Sequence, residues 1–258
     1  MVTAAVRNDL GIYDRHANDW WNQDSAFSCS LHEINRLCLA AIRERLGTAL
    51  RGSTVIDLGC GGGLLAEPLA QAGAQVIGVD VSGPSVSAAR NHGRDVNYLT
   101  YLRGDVRYPP LAPHSADVVL CADVLEHVAD WKAVLAAAAM LLRPGSGQLF
   151  VVTINRTIRA RWLAVILGEG LGFVPRGTHD PEMFITPTEL GDAARKSGLE
   201  ADGYLGFAPR LIATLCSRRL RMRTSSSLAV EYGAWFIAGK NHRAKPAIDS
   251  RGGAEARR

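Results

Sequence analysis

One short segment constrains this chain more than any other: an apolar run that ends in an acid and a cluster of glycines. The run Thr54-Val55-Ile56-Asp57-Leu58 has the length and composition of a buried β-strand, and Gly59-Cys60-Gly61-Gly62-Gly63 follows it directly. Glycines let the backbone turn sharply and approach a ligand, and a helix that starts behind them offers free N–H groups. The segment therefore predicts a strand, loop and helix unit that binds a small ligand.

Strand and helix patterns alternate along the chain after this loop. The expected helices cover 64–72, 84–91 and 131–142, and the expected strands cover 75–80, 97–103, 116–122, 148–153, 199–207 and 229–238. Such alternation is typical of the α/β class, with a parallel, doubly wound, Rossmann-like sheet.

Three further regions complete the predicted organisation. Apolar residues recur at helical spacing from Leu31 to Leu46, so residues 1–50 are expected to form an N-terminal helical cap. The catalytic domain would cover 51–240, with an apolar insertion at 156–185 after the fifth core strand, and helix structure would resume at Thr186 as an N-cap. Residues 241–258 are rich in Arg, Ala and Gly and are expected to be a disordered tail.

Composition excludes several other classes of protein. A chain of 258 residues with 47% hydrophobic residues can bury one sizeable core, so one domain with insertions is expected. The net charge of +4 is dispersed except at Arg218, Arg219, Arg221 and Arg223, so no nucleic-acid partner is expected. Five cysteines without a C-x-x-C pair favour a reducing compartment, and no signal peptide or spanning segment is recognised, so a cytoplasmic location is predicted.

Three acids near the glycine loop describe the ligand. Asp57 would repel a pyrophosphate but suits an amino-acid ammonium group, Asp80 ends the second strand where an acid can bind both ribose hydroxyls, and Asp105 could take an adenine amino group. Together they indicate S-adenosylmethionine as cofactor. The cofactor-binding residues predicted from sequence are Asp57, Gly59, Gly61, Gly63, Asp80, Asp105 and Ala122.

Two rival interpretations remain at this point. The run from Gly61 to Ala66 also satisfies the loose G-x-G-x-x-A pattern of a nicotinamide dinucleotide site, so an NAD-dependent oxidoreductase is an alternative. Asp57, Asp105 and the lack of a second lobe argue against it. A catalytically inactive ligand-binding domain is the other alternative.

Four motifs carry a resemblance to one branch of the class I methyltransferases, from about Tyr13 to Tyr204. They are Trp20-Trp21 with Leu31-His32-Glu33-Ile34-Asn35, the glycine loop, Asp123-Val124-Leu125-Glu126-His127-Val128, and Asn155-Arg156 with Pro175-Arg176-Gly177-Thr178-His179-Asp180. This pattern resembles the ubiquinone-pathway O-methyltransferases, which methylate polyprenyl phenol and catechol rings. The chain departs from the family at Arg36 and Cys38, where the family usually has a proline and a cofactor-holding arginine, and at Asp123, where glutamate is usual.

The resemblance implies methyl transfer to a phenolic oxygen, with Asp123, Glu126 and His127 as the catalytic candidates. A phenol has a pKa near 10, by analogy with tyrosine, so the site must remove or delocalise its proton. The spacing of these three residues would place them on one face of a helical turn. Either they bind Mg²⁺, which would hold a catechol oxygen, or His127 acts alone as general base.

The acceptor is expected to be a small phenol or quinone precursor, and a soluble natural product is the alternative. Trp21, His32, Asn155 and His179 are the predicted substrate-binding residues. Residues 158–174 are apolar and have arginines at their edges, which suits either peripheral membrane contact or a buried helix under the cap.

Overall fold

The computed structural model describes residues 8–239 of the chain. The strands of this part are β1 Thr54–Leu58, β2 Gln75–Asp80, β3 Leu99–Arg103, β4 Val118–Ala122, β5 Gln148–Ile154, β6 Leu199–Pro209, β7 Met222–Ser225 and β8 Glu231–Ala238. The α-helices are α1 Gly11–Arg15, α2 Cys29–Leu46, α3 Ala66–Gln71, α4 Gly83–His92, α5 Trp131–Leu141, α6 Ile158–Arg161, α7 Pro187–Lys196 and α8 Leu211–Ser217.

All eight strands form a single sheet in the order β3-β2-β1-β4-β5-β8-β6-β7. Strands β1 to β5 pair in parallel, whereas β8 runs antiparallel to both β5 and β6. The strand order reverses between β1 and β4, and ligands of open α/β sheets bind at this kind of position, outside the carboxyl ends of the strands. The predicted α/β class and doubly wound, Rossmann-like sheet are confirmed.

Local sequence explains where several helices begin. The Ser82 side chain accepts a hydrogen bond from the Ser85 amide at the start of α4, and the side chain of Thr186 accepts one from the Glu189 amide at the start of α7. Glu189 accepts in return from the Thr186 amide at 3.0 Å, which completes a capping box. The predicted N-cap at Thr186 is confirmed.

Helix α2 forms the main part of the N-terminal cap. Ile34, Leu37 and Ile42 are buried on one side of it and pack into the same hydrophobic cluster as Val76 and Phe150 of the sheet. Because this cluster is continuous, the cap and the sheet share one core rather than two.

The structure adds to or differs from the sequence predictions in three places. Strand β7 was not predicted, since Met222–Ser225 is short and mostly exposed. The insertion, whose secondary structure was left open, contains α6 followed by a π-helix, Trp162–Glu169. Asp123 has a left-handed backbone with φ of 55°, and only Leu125–His127 forms a 3₁₀ turn, so the expected helical turn through Asp123 was wrong.

Two further predictions concern a C-terminal tail and the lack of a membrane-spanning segment. The proposed tail at 241–258 lies outside the described residues. Within residues 8–239, no helix combines the length and apolar composition needed to cross a bilayer.

Candidate active site

A cavity of about 610 Å³ opens at the carboxyl ends of β1, β2 and β4; we call it the polar cavity. The cofactor-binding residues predicted from sequence that line it are Asp57, Gly59, Gly61, Asp80, Asp105 and Ala122. They come from separate strand ends and meet here because parallel strands end at the same edge of the sheet. The structure therefore brings six of the seven predicted residues together.

Gly63 is the seventh, and it is not a lining residue. Its φ is 87°, and a Cβ built on it would lie 2.1 Å from the hydroxyl oxygen of Tyr101. Gly63 is therefore required for close packing of the loop against β3.

Asp80 holds the glycine loop as well as facing the polar cavity. One carboxylate oxygen accepts a hydrogen bond from the Gly61 amide at 2.9 Å, and the other accepts one from the Ser82 amide at 2.8 Å. Each carboxylate oxygen can accept a second hydrogen bond, so both remain able to bind ligand hydroxyls. Burial raises the pKa of Asp80, and these two amides oppose the shift.

Asp57 and Asp105 have opposite electrostatic environments. Asp57 is 3% exposed, and burial, together with the nearby Asp80 charge, raises its pKa to about 7. Asp105 is half-exposed and forms an ion pair with Arg107 at 2.6 Å, and hydrogen bonds from Arg107 hold the pKa of Asp105 below its usual value. A cationic ligand group would therefore stabilise the ionised carboxylate of Asp57 more than that of Asp105, because Asp105 already has a cationic partner.

A second cavity, of about 370 Å³, lies between the insertion, α2 and α8; we call it the apolar cavity. Most of its lining is aliphatic or aromatic. Its apolar side chains include Phe27, Leu31, Ile34, Leu163, Leu167, Leu171, Phe173, Leu211, Leu215 and Met222. The sequence assigned His179 of the insertion to the substrate site, but α8 was not assigned to a site, because nothing in its local pattern tells where it folds back.

Four residues line both cavities: Tyr13, Leu31, Asp123 and His127. The polar cavity and the apolar cavity therefore adjoin, and a group bound in one can approach a group bound in the other across these side chains.

The floor of the apolar cavity is acidic. Asp123, Glu126 and Glu231 all line it, and burial raises the pKa of each carboxyl group. Glu126 accepts a hydrogen bond from the Thr153 hydroxyl at 2.8 Å through one oxygen, while its other oxygen and Oε1 of Glu231 are buried without a partner. Glu231 was missed from sequence because it lies on β8, more than 100 residues from the Asp123 motif.

His127 is buried, and burial lowers its pKa to about 3, so the imidazole is neutral near pH 7. Its Nδ1 lies 2.7 Å from the side-chain oxygen of Asn8, and its Nε2 lies 3.1 Å from the hydroxyl oxygen of Tyr13. A metal ligand must offer a free lone pair, and in this arrangement both ring nitrogens have hydrogen-bond partners.

The predicted metal set of Asp123, Glu126 and His127 is not assembled in the described part of the chain. No group of three or more His, Cys, Asp or Glu side chains among those residues has a geometry that could hold a metal ion. The residues present therefore do not fit Mg²⁺ as the sequence predicted.

The structure places only one of the four predicted substrate-binding residues at a cavity. His179 lines the apolar cavity, with its ring centroid 5.9 Å from that of His127. Trp21 instead donates a hydrogen bond to the Gly62 carbonyl at 2.9 Å and stacks on His92. It therefore packs the cap against the glycine loop rather than lining a cavity.

His32 and Asn155 also have structural partners outside the two cavities. His32 Nε2 lies 2.9 Å from the carbonyl oxygen of Trp20, and the Asn155 side chain donates to the Leu228 carbonyl at 2.7 Å. Both side chains fix the backbone of neighbouring segments, and neither lines the polar cavity or the apolar cavity.

The N-terminal strap, which we define as residues 8–15, is the part of the site that sequence reasoning missed. Its residues Leu10, Gly11, Tyr13 and Asp14 line the polar cavity, and Tyr13 also lines the apolar cavity. The strap has one short helix and no long periodic pattern, so its sequence gives no signal of this position. Asp14 accepts a hydrogen bond from the Ser82 hydroxyl at 2.5 Å, which ties the strap to the end of β2.

The two departures from the family pattern have distinct structural outcomes. Arg36 donates a hydrogen bond to Glu33 at 3.1 Å and does not line the polar cavity, whereas Asn35 does. Cys38 is buried among the core residues of α2. Neither residue lines the polar cavity.

Comparison with known protein families identifies a methyltransferase. A profile described as a methyltransferase domain matches residues 56–151, which include the glycine loop and the Asp123 motif. The ubiquinone biosynthesis O-methyltransferase of Stutzerimonas stutzeri is 41% identical over 204 residues, covering 77% of this chain and 85% of the relative. That of Bordetella avium is 42% identical over 203 residues, covering 77% and 83%.

Solved structures support the fold at lower identity. Magnesium protoporphyrin IX methyltransferase from Synechocystis, solved with bound S-adenosylhomocysteine, aligns with a TM-score of 0.62 at 20% identity, over 90% of this chain and 96% of that chain. An S-adenosylmethionine-dependent methyltransferase from Aquifex aeolicus aligns with a TM-score of 0.54 at 15% identity, over 77% and 88%. The nicotinamide dinucleotide alternative receives no support from these similarities.

Proposed function

Because the chain belongs to the ubiquinone biosynthesis O-methyltransferase family and is an S-adenosylmethionine-dependent O-methyltransferase, we propose that it methylates a phenol or catechol hydroxyl on a ring that carries a polyprenyl chain. The observation that carries this proposal is the contact between a polar cavity and an apolar cavity across Tyr13, Leu31, Asp123 and His127. A methyl donor in the first and a ring in the second would meet at these side chains.

The polar cavity suits the three parts of S-adenosylmethionine. Asp57 would receive the ammonium group of the amino-acid moiety, Asp80 the ribose hydroxyls, and Asp105, despite its ion pair with Arg107, lies where the adenine would extend. Gly61 keeps the loop backbone close to the ligand, since its φ of 50° and the nearby Trp20 ring leave no room for a side chain.

The acceptor step requires removal of a phenolic proton. His127 lies at the boundary of both cavities with its Nε2 3.1 Å from a phenolic hydroxyl oxygen, so Nε2 is the candidate general base. When bound in the polar cavity, S-adenosylmethionine would supply the methyl group: the C–O bond would form as the C–S bond of the sulfonium breaks, leaving a neutral thioether. The proton passes to Nε2, and proximity between the two bound molecules supplies the rest of the acceleration.

The cofactor Mg²⁺ is not part of this proposal. Within residues 8–239, Asp123, Glu126 and His127 do not form a group that could hold the ion. Asp123 and Glu126 are instead proposed to bind hydroxyl groups of the acceptor, because a buried carboxyl oxygen without a partner, as in Glu126, favours an O–H donor.

Peripheral membrane contact is proposed for the insertion. Ile158, Trp162 and Leu171 are 79%, 55% and 58% exposed, which is unusual for large apolar side chains in one segment. Arg159 and Arg161 lie between them in sequence, and apolar side chains beside arginines suit an interface with anionic lipid headgroups. The same segment lines the apolar cavity, so a lipid-borne acceptor could enter from the membrane side.

The test is methyl transfer to a matched series of catechols. The purified protein would be given S-adenosylmethionine and catechols that carry no chain, one prenyl unit or three prenyl units. We expect kcat/KM to rise with chain length, because each buried methylene contributes about 0.8 kcal/mol. Equal activity on all three, together with an unchanged quinone pool in a deletion strain, would instead identify a soluble natural product as the acceptor.

A further inference from the structure

The side chain of Asn8 contacts His127 through two hydrogen bonds. Its Oδ1 lies 2.7 Å from Nδ1 of the imidazole, and its Nδ2 donates to the His127 backbone carbonyl at 3.2 Å. The same Nδ2 lies 3.2 Å from the sulfur of Met183. One amide thus holds both the ring and the backbone of a residue that is 119 positions away in sequence.

These contacts fix which way the amide points. The carbonyl oxygen of His127 and the thioether of Met183 can only accept hydrogen bonds, so the group beside them must be the NH₂ end of Asn8. The oxygen end then faces Nδ1. An amide oxygen can only accept, and Nδ1 must therefore carry the hydrogen.

The consequence lies at the other ring nitrogen. A neutral imidazole protonated at Nδ1 has its lone pair at Nε2. In the structure this nitrogen lies 3.1 Å from the hydroxyl oxygen of Tyr13, a phenol. Tyr13 stands between the polar and apolar cavities, so its hydroxyl occupies a position that an acceptor phenol would need.

We propose that Asn8 is a positioning residue for methyl transfer: its side-chain oxygen holds the Nδ1–H tautomer of His127, which leaves Nε2 free to take the acceptor proton when the acceptor hydroxyl replaces that of Tyr13. This inference rests on the proposed function of His127 as base and adds a residue to it. The proton moves from the acceptor oxygen to Nε2, and no proton leaves Nδ1.

The strap also couples this arrangement to the cofactor cavity. Tyr13 and Asp14 follow Asn8 within the same short segment, and both line the polar cavity. The Tyr13 carbonyl accepts from the Ser85 hydroxyl at 3.3 Å, and Asp14 accepts from Ser82. The same short segment therefore lines the polar cavity and carries the side chain that contacts His127.

Two variants and one control test the proposal by steady-state kinetics. Asn8→Ala removes both hydrogen bonds and should lower kcat by roughly 10- to 100-fold, part of the full contribution of a general base. Asn8→Asp keeps an acceptor for Nδ1–H and should recover most of that loss. Asp95→Ala is the control, since Asp95 is exposed, pairs with Arg94 and lines neither cavity, and it should leave kcat unchanged.

A spectroscopic measurement separates positioning from simple support of the fold. Imidazole ¹⁵N NMR of the protein without acceptor, with the His127 signal assigned through His127→Gln, should show a protonated Nδ1 and an unprotonated Nε2. Asn8→Ala should mix the tautomers at an unchanged melting temperature.

An Nε2–H tautomer in the unmodified protein, or full kcat in Asn8→Ala, would overturn the proposal. If the tautomer is as expected but His127→Gln retains full activity, the base role of His127 fails, and the catalytic role of Asn8 fails with it. Because the NMR experiment needs no acceptor, a wrong substrate assignment alone would leave its result unchanged.

Discussion

The indole of Trp20 lies against Gly61 so closely that a Cβ on the glycine would fall 2.4 Å from Cη2 of the ring. Gly61→Ala should therefore displace either the loop or the cap, and weaken S-adenosylhomocysteine binding by more than tenfold in calorimetry. Gly47→Ala is the matched control, because Gly47 has a similar φ of 52° but nothing within 4 Å. The Gly47→Ala variant should carry a similar backbone strain but keep its affinity for S-adenosylhomocysteine.

A second substitution tests that contact directly. Phenylalanine lacks the far edge of the indole, so Trp20→Phe should restore part of the affinity lost in Gly61→Ala. Strict additivity of the two single effects would show that ring and glycine do not interact.

The pH dependence of cofactor binding should report Asp57. Burial raises its pKa to about 7, and the ammonium group of the ligand favours the ionised carboxylate. Below pH 7 binding must remove the proton, so affinity should rise with pH, by up to about tenfold per unit, and level off above pH 7. Calorimetry with S-adenosylhomocysteine from pH 5.5 to 8 measures this. Asp57→Asn should bind weakly with a flatter profile, and an equally steep profile in that variant would assign the titration to another group.

Removal of metal ions should leave methyl transfer unchanged. With His127 as a metal-free base, His127→Gln should lose roughly 10²- to 10⁴-fold in rate, and chelator should have no effect on either protein. Cofactor affinity should stay within a few-fold, because the proposed cofactor contacts are elsewhere. His114→Asn is the control, since His114 bonds the Leu142 carbonyl outside both cavities and should keep full activity. Loss of activity with EDTA that returns with Mg²⁺ would contradict this prediction.

Binding to anionic vesicles should depend on the insertion. Trp162→Ser combined with Ile166→Ser removes two exposed apolar side chains and should lower flotation with phosphatidylglycerol liposomes at least fivefold, about the loss of 1 kcal/mol. Tyr98→Asn, at a side chain that is 72% exposed near the opposite edge of the sheet, should leave flotation unchanged. Undiminished binding of the double variant would assign membrane contact to a different surface.

The sequence predicted the sheet and the polar cavity well because both depend on local patterns. Asp57 and Asp80 end strands whose apolar runs are easy to recognise, and the fold itself then brings them together. Gly63 shows the limit of that reasoning. Its place in the glycine motif predicted a contact with the cofactor, whereas in the structure it allows the loop to pack against Tyr101.

The acceptor side was predicted less well because it depends on long-range contacts. Asn8, Tyr13 and Glu231 reach His127 or Asp123 from the two ends of the described chain, and none has a neighbouring residue that signals such a role. For Trp21 and His32, the motif suggested a substrate contact. In the structure their side chains instead lie within hydrogen-bond distance of the backbone carbonyls of Gly62 and Trp20.

The position of β8 sets an order in which this molecule can be built. It is the last strand of residues 8–239 to be synthesised, yet it is inserted between β5 and β6, and β6 has no pairing with β5 without it. Until the ribosome has released residues 231–238, Phe150 and Val152 belong to a strand with one open edge, a known template for aggregation. A nascent chain, or one truncated before Glu231, therefore exposes an unpaired β5 edge in the middle of its future sheet, where it can pair with another chain until β8 is added.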